Sequence, residues 1–347
     1  MRFIFLIPDF RHGWLPANFD AILRRIPDAA ARWLLHRYWA VNTVYGGTLN
    51  LMRHCEAARL AGADAVLATI SGRDQYGEVL GPGRRLPCIA WEQRRADDVC
   101  IVPDYASTLA DAVNGPVVVY QQSPLHLKAD FKYGRDDLAV WTDSPFMRSK
   151  CEALFPGKQV SIVPNVVDES MFRFVPQRQR TEGLLFAFPR KNPEFIDATW
   201  DAYSKRGGRF WKLERVSGLP ILELAARFRE PQAFLASARE EGCALPPQEA
   251  MAAGIVVIGR TATGANFSMR DGVTALIAES PDRAADRLLE AESQELREQL
   301  AAAGRDFISR YFARAEPLAF WTAQLRHTAT RMVGAHGTRG APSGAIS

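Results

Sequence analysis

A chain of 347 residues, 47% hydrophobic and 24% charged, is long enough to bury more than one core, and two domains is the expectation at this length. Its net charge of +4 is the difference between 43 basic and 39 acidic residues, too even for a protein that coats nucleic acid. Five cysteines, Cys55, Cys88, Cys100, Cys151 and Cys243, form no C-x-x-C pair, and their odd number argues against a disulfide framework or zinc site. A reducing cytoplasm fits best.

The opening MRFIFLIPDF has an apolar run that stops at Pro8 with charge following at once, so it reads as a first buried strand and not as a signal peptide. No window approaches the roughly 20 apolar residues that span a bilayer. Further short apolar runs follow at 63–69, 99–103, 116–120, 138–142 and 159–164. Runs apolar on both faces and too short for helices suit central strands of a parallel sheet. TLNLMRHCEAARLAGA, 48–63, has the 3-4 apolar spacing of an amphipathic helix that ends at glycine.

After the polar stretch 175–183 a second series begins, with strands expected at 184–188, 210–216, 233–237, 255–259 and 274–279 and helices at 193–206, 219–229 and 246–253. The expected fold class is therefore α/β, with two Rossmann-like doubly wound domains facing a cleft. Residues 1–172 form the first, acceptor-side domain and 173–315 the second, nucleotide-sugar-binding one, with the linker near 168–183. A final helical region, 307–333, is broken at Pro317, and its last part, the helix over 316–333, could cross back to the first domain. The Gly/Ala/Ser/Pro-rich tail 334–347 reads as disordered.

Chemistry concentrates in EGCALPPQEAMAAGIVVIG, 241–259. Glu241 falls in a loop after a strand, Pro246 and Pro247 suit a helix start, and Glu249 falls in the first helical turn, ahead of Gly254 as the stop. A capping acid explains Glu249 alone, through the helix dipole. It does not explain Glu241. Two ionised carboxylates at one strand end can each accept hydrogen bonds from vicinal sugar hydroxyls.

EGCALPPQEAMAAG resembles the E-x7-E motif of the retaining GT-B glycosyltransferases of family 4, the glycosyl transferases group 1. The resemblance implies that Glu249 holds the nucleotide ribose and Glu241 faces hydroxyls of the donor sugar, with Leu245 beside them. Cys243 and Ala244 stand where that family usually has Phe-Gly. VPNVVDESMF, 163–172, is similar to the family's domain-junction segment, with Asn165, Asp168 and Phe172 in register and Val166 in place of glycine. Asn165 joins the donor-binding candidates on that basis; as bare residues, Asn and Asp after a strand make a turn.

The same likeness assigns further residues. Arg190 and Lys191, after the first strand of the second domain, are candidates to neutralise the donor diphosphate, whose leaving group gains negative charge as the glycosidic bond breaks. Leu185 occupies the place of the family's earlier arginine. Gly264 and Ala265 could present amides to phosphate, and Gly46 and Gly47 open the first helix where backbone amides can approach a phosphate or an acceptor. Gln121 and Gln122 stand where many members have histidine, with His126 nearby; Gln122 and His126 are acceptor-side candidates.

No phosphate-loop, G-x-S-x-G, H-E-x-x-H or D-x-D motif is present, so no metal or resident cofactor is called for. The expected activity is metal-independent, retaining transfer of a sugar from a nucleotide-diphosphate sugar to a glycan, a lipid-linked or another acceptor, without nucleic acid. Arg24, Arg25, Arg32, His36 and Arg37 could form a basic face for peripheral contact at the inner membrane surface. The alternatives are a sugar-nucleotide epimerase or phosphorylase on the same fold, or a nucleotide-sugar-binding protein whose site has decayed.

Overall fold

The computed structural model describes residues 1–8, 44, 46–72, 74, 76–127, 138–158, 160–313 and 315–324. Seven strands build the first sheet: β1 (Arg2–Leu6), β2 (Asp64–Thr69), β3 (Cys88–Ala90), β4 (Val99–Pro103), β5 (Val117–Gln121), β6 (Leu138–Thr142) and β7 (Val160–Ile162). Their order is β3-β2-β1-β4-β5-β6-β7, and every pair is parallel. Helix α1 (Gly46–Leu60) leads into β2, and α2 (Pro145–Leu154) follows β6, capped where Ser144 Oγ accepts the Met147 N–H at 3.1 Å. The expected strands are all present. β3 was not anticipated, because three half-buried residues at a sheet edge leave no apolar run to read.

The second sheet holds β8 (Leu184–Ala187), β9 (Lys212–Arg215), β10 (Ala233–Ala236), β11 (Val256–Gly259) and β12 (Ala275–Ile277) in the order β12-β11-β10-β8-β9, again parallel throughout. Its helices are α3 (Pro193–Lys205), α4 (Ile221–Arg227), α5 (Leu245–Ala253), α6 (Pro281–Glu290) and α7 (Gln294–Tyr311). α5 ends where it must: Gly254 sits at φ 85°, and a Cβ there would lie 2.7 Å from a Phe174 ring carbon and 2.9 Å from the Val175 carbonyl oxygen.

One buried apolar cluster runs from Phe3 and Phe5 on β1 through Val163, Val167 and Phe172 into Phe186, Phe234 and Met251 of the second sheet's layer. The two halves are thus joined by packing as well as by the chain. The last described helix, α8, spans 315–324. The expected break at Pro317 falls earlier: the helical run stops after Tyr311, and Pro317 lies in the first turn of α8, where a missing N–H costs nothing. From α8, fully buried Trp321 packs edge-on against Phe3, Phe5 and Trp141 of the first domain. Its indole N–H donates to His54 Nδ1 at 3.3 Å, while His54 Nε2 lies 3.0 Å from the Pro164 carbonyl. A carbonyl only accepts and an indole only donates, so these partners require the neutral Nε2–H tautomer.

Among the described residues no helix is long and apolar enough to cross a membrane. The expected basic face at Arg24, Arg25, Arg32, His36 and Arg37 and the tail 334–347 lie outside the described residues.

Candidate functional site

The carboxyl ends of the two parallel sheets meet across a crevice, the position where open α/β sheets bind ligands. From the second sheet come the loop after β8, carrying Arg190 and Lys191, and the loop after β10, carrying Glu241. Asn192 sets the relation between them. Its Oδ1 accepts the Phe195 N–H at 3.3 Å and so caps α3, and its Nδ2 donates to the Ser237 carbonyl at the end of β10, 3.0 Å away. With the loops tied, Lys191 Nζ stands 2.9 Å from Glu241 Oε1, the lysine side chain 34% and the glutamate 18% exposed. The cation and the first acid of the motif are brought together. Arg190, the residue before Lys191 in the same loop, is exposed.

The Glu241 loop is fastened to the first domain. Gly242 is buried against the end of β5 so tightly that a Cβ would sit 2.7 Å from the Gln122 carbonyl carbon. Its own carbonyl accepts from Ser144 Oγ at 2.6 Å, and the Cys243 carbonyl accepts from Asn165 Nδ2 at 2.8 Å. Asn165, expected among donor ligands, is 1% exposed, and its amide also donates to Gln248 Oε1 at 3.1 Å. Both of these bonds fasten the segment that follows Glu241. On the other flank Asn266 Oδ1 accepts the Ala244 N–H at 2.9 Å, joining the loop after β11 to the same turn.

That loop is left-handed at three successive residues, Ala262, Thr263 and Gly264, with φ of 53°, 60° and 88°. Threonine in this region is strained and persists only where surrounding bonds hold it. Here Thr261 Oγ1 accepts the Gly264 N–H at 3.2 Å, and Thr261 is itself held by Glu279 at 2.7 Å. Gly264 is exposed at the turn, whereas Ala265 is fully buried and gives its N–H to the Ala262 carbonyl at 3.3 Å. Ala265 therefore shapes the turn, and its amide is already spent.

Glu249 requires a correction. It is the fifth residue of α5, after Leu245 at the first helical position, so the capping reading fails: α5 has no acid in its first turn. The side chain is 2% exposed and pairs with Arg53 of α1, Arg53 Nη2 to Glu249 Oε1 at 2.9 Å. Burial pushes this carboxyl up, and the Arg53 charge pulls it back. Leu245 is buried at the same seam, where a Cβ on Gly46 would lie 3.4 Å from it. Gly46 and Gly47 are the first two residues of α1, and the Gln122 side chain lies over Gly47.

The first domain also contributes acids that sequence reading missed. Asp104, just after β4 and 2% exposed, accepts backbone N–H groups from Gln122 at 3.0 Å and Ser123 at 2.8 Å, and it stands 3.2 Å from His126 Nδ1. The His126 side chain itself is 44% exposed. Asp143, after β6, is 2% exposed, and its Oδ1 has no hydrogen-bond partner among the described residues. Burial holds the Asp143 carboxyl far above the usual carboxylate range, helped by the negative charges of Asp104 and Glu241. Only an aspartate at a strand end signalled either residue, and such aspartates usually make turns.

Two helix-covered parallel sheets whose carboxyl ends face one crevice make this an α/β protein of GT-B architecture. Residues 219–307, which hold both motif glutamates and the loop after β11, match the family described as Glycosyl transferases group 1. The likeness to the glycosyl transferases group 1 read from EGCALPPQEAMAAG therefore holds for this segment. Among solved structures, Anabaena HepE in complex with UDP and glucose is similar at 12% identity and TM-score 0.62, over 95% of this chain and 100% of that one. Sucrose-phosphate synthase from Thermosynechococcus elongatus is similar at 14% identity and TM-score 0.60, over 83% of this chain and 94% of that one. S. aureus TarM, in complex with fondaparinux, alpha-GlcNAc-glycerol and UDP, aligns at 13% identity and TM-score 0.53 over 67% of this chain, which spans 56% of TarM's length. At such identities the likeness is one of fold. No curated protein gives a significant sequence match.

Proposed function

We propose that the protein is a retaining, metal-independent glycosyltransferase that moves a hexose from a nucleoside-diphosphate sugar to a glycan or lipid-linked acceptor. The observation that carries this reading is the 2.9 Å pairing of Lys191 with Glu241 at the meeting of the two sheets. A donor laid along the crevice would put its diphosphate against Lys191 and Arg190 and its hexose hydroxyls against Glu241. Until a donor arrives, Glu241 neutralises the lysine. As the glycosidic bond breaks, negative charge grows on the β-phosphate, and a fixed cation at that point lowers the barrier more than it stabilises the bound donor.

Glu249 would take ribose hydroxyls and Gly264 would face the phosphates. Gly46, Gly47, Gln122 and His126 would line the acceptor's approach. The leaving phosphate would accept the acceptor's proton on the same face of the sugar, which gives retention without a protein nucleophile. The UDP and glucose in the HepE complex make UDP-glucose the first donor to try. The membrane side of this reading, an acceptor carried on lipid at the cytoplasmic face, rests on the family likeness.

The test is a panel of nucleotide sugars scored by thermal shift and by hydrolysis, with Lys191→Met alongside. A transferase stabilises with one donor and hydrolyses it slowly, faster when acceptor is added. Stabilisation without any turnover identifies a decayed binding protein, and release of an altered nucleotide sugar without acceptor identifies an epimerase.

A further inference from the structure

α1 belongs to the first domain, yet it reaches the acid that the proposed function gives to the donor's ribose. Asn50, Arg53 and His54, within one helical turn of each other, all bond to the junction segment 163–167 or beyond. Asn50 Oδ1 accepts the Val166 N–H at 2.9 Å, Arg53 Nη1 donates to the Val166 carbonyl at 2.9 Å, and Arg53 Nη2 continues to Glu249. The guanidinium also lies 5.9 Å from the centre of the Phe172 ring. Arg53 is 1% exposed, so its orientation is set on every side by the fold.

We propose that Arg53 is a positioning residue for the donor, holding the Glu249 carboxylate charged and fixed from the opposite domain, so that nucleotide affinity depends on contact between the two domains. The proposal rests on the reading of Glu249 as a ribose ligand. Among the described residues Arg53 is the hydrogen-bond donor to this carboxylate, at Oε1, which leaves Oε2 for a ribose hydroxyl. A carboxylate out of water stays ionised only beside a fixed cation. The other charges facing the pair are Asp168, which opposes ionisation of Glu249, then Arg84, 2.5 Å from Asp168, and Glu56, bound in turn to Arg84. Lysine could supply the charge but not the two-pronged link from Val166 to Glu249.

The experiment is calorimetric titration of the full chain with UDP, GDP, ADP and dTDP in turn. The tightest of these is then followed across mildly acidic to alkaline buffer for wild type, Glu249→Gln, Arg53→Lys and Arg53→Met. Wild type should bind with one affinity across the range, and Glu249→Gln should bind at least tenfold more weakly at every pH. Arg53→Met should match Glu249→Gln in acid and recover toward wild type in alkali, as the unpaired carboxylate ionises. Arg53→Lys should keep the flat profile with a loss of a few-fold. If Arg53→Met does not fold, Arg53→Gln, which keeps a donor without the charge, carries the same comparison.

Unchanged affinity and a flat profile in the neutral variant overturn the proposal. So does tighter binding, which would make the pair a latch that the donor has to break. An unchanged Glu249→Gln, or a wild type that binds none of the four nucleotides, removes the ribose reading underneath instead.

Discussion

Gly242→Ala is the sharpest available probe of whether the Glu241 loop must lie flat on the first domain. A Cβ at this position would sit 2.7 Å from the Gln122 carbonyl carbon and 3.1 Å from Asp143 Oδ1. Carbon atoms rest at about 3.5–4.0 Å, so the loop and the end of β5 would have to part by roughly 1 Å. Gln122 meets it with backbone, whose N–H is bound to Asp104, so the loop is the side that yields. The neighbouring Glu241 and its contact with Lys191 would move with it. A displacement of that size costs about 100-fold in turnover when it falls on a reacting group, and such overpacking costs about 1–3 kcal/mol in stability. Initial rates of nucleotide-sugar hydrolysis at saturating donor, with thermal unfolding as the control, measure both. Turnover within twofold of wild type in a variant of unchanged stability would refute the claim that this contact sets the geometry of Glu241.

Other outcomes follow from the same seam. Lys191→Met should lower kcat for hydrolysis by about 100- to 1000-fold, and because the side chain is 34% exposed its thermal midpoint should stay near wild type. His54 is held neutral by burial, its pKa lowered from 6.5 to about 4, so its contribution to stability is complete above the upper value and is lost as pH falls toward the lower one. Urea titrations across that window should show a loss of about 3 kcal/mol, and a smaller one in His54→Gln. Asp143 has the opposite sign: the fold favours its protonated form, so stability drains away as pH rises above the ordinary aspartate range. Asp143→Asn, which keeps the shape of the neutral acid, should exceed wild type in alkaline stability and lose that advantage in acid; equal stabilities at both ends would count against a buried protonated carboxyl.

The strands and most helices were legible in the sequence because a parallel strand covered on both faces has to be apolar at nearly every position, and that pattern survives in one dimension. The Glu241 loop and the Arg190–Lys191 pair were legible for a related reason, since each follows directly on a strand end, where α/β sheets display their chemistry. Pro317 was misread because proline breaks a helix only beyond the first turn, and where a helix starts depends on what precedes it. Nothing local could show that Arg53, in a run that reads as an ordinary amphipathic helix, meets Glu249 from 196 positions away. Nor could it show that Asp143 lies under the Glu241 loop, or that Gly242 is a glycine because another backbone passes against it. The succession of strands along the chain and the place of the loops between them were therefore decided by local apolar patterning, which each residue carries alone. Which acids are buried, charged or paired was decided only when the two sheets closed on one another, because burial and counter-charge belong to the partner surface and not to the residue.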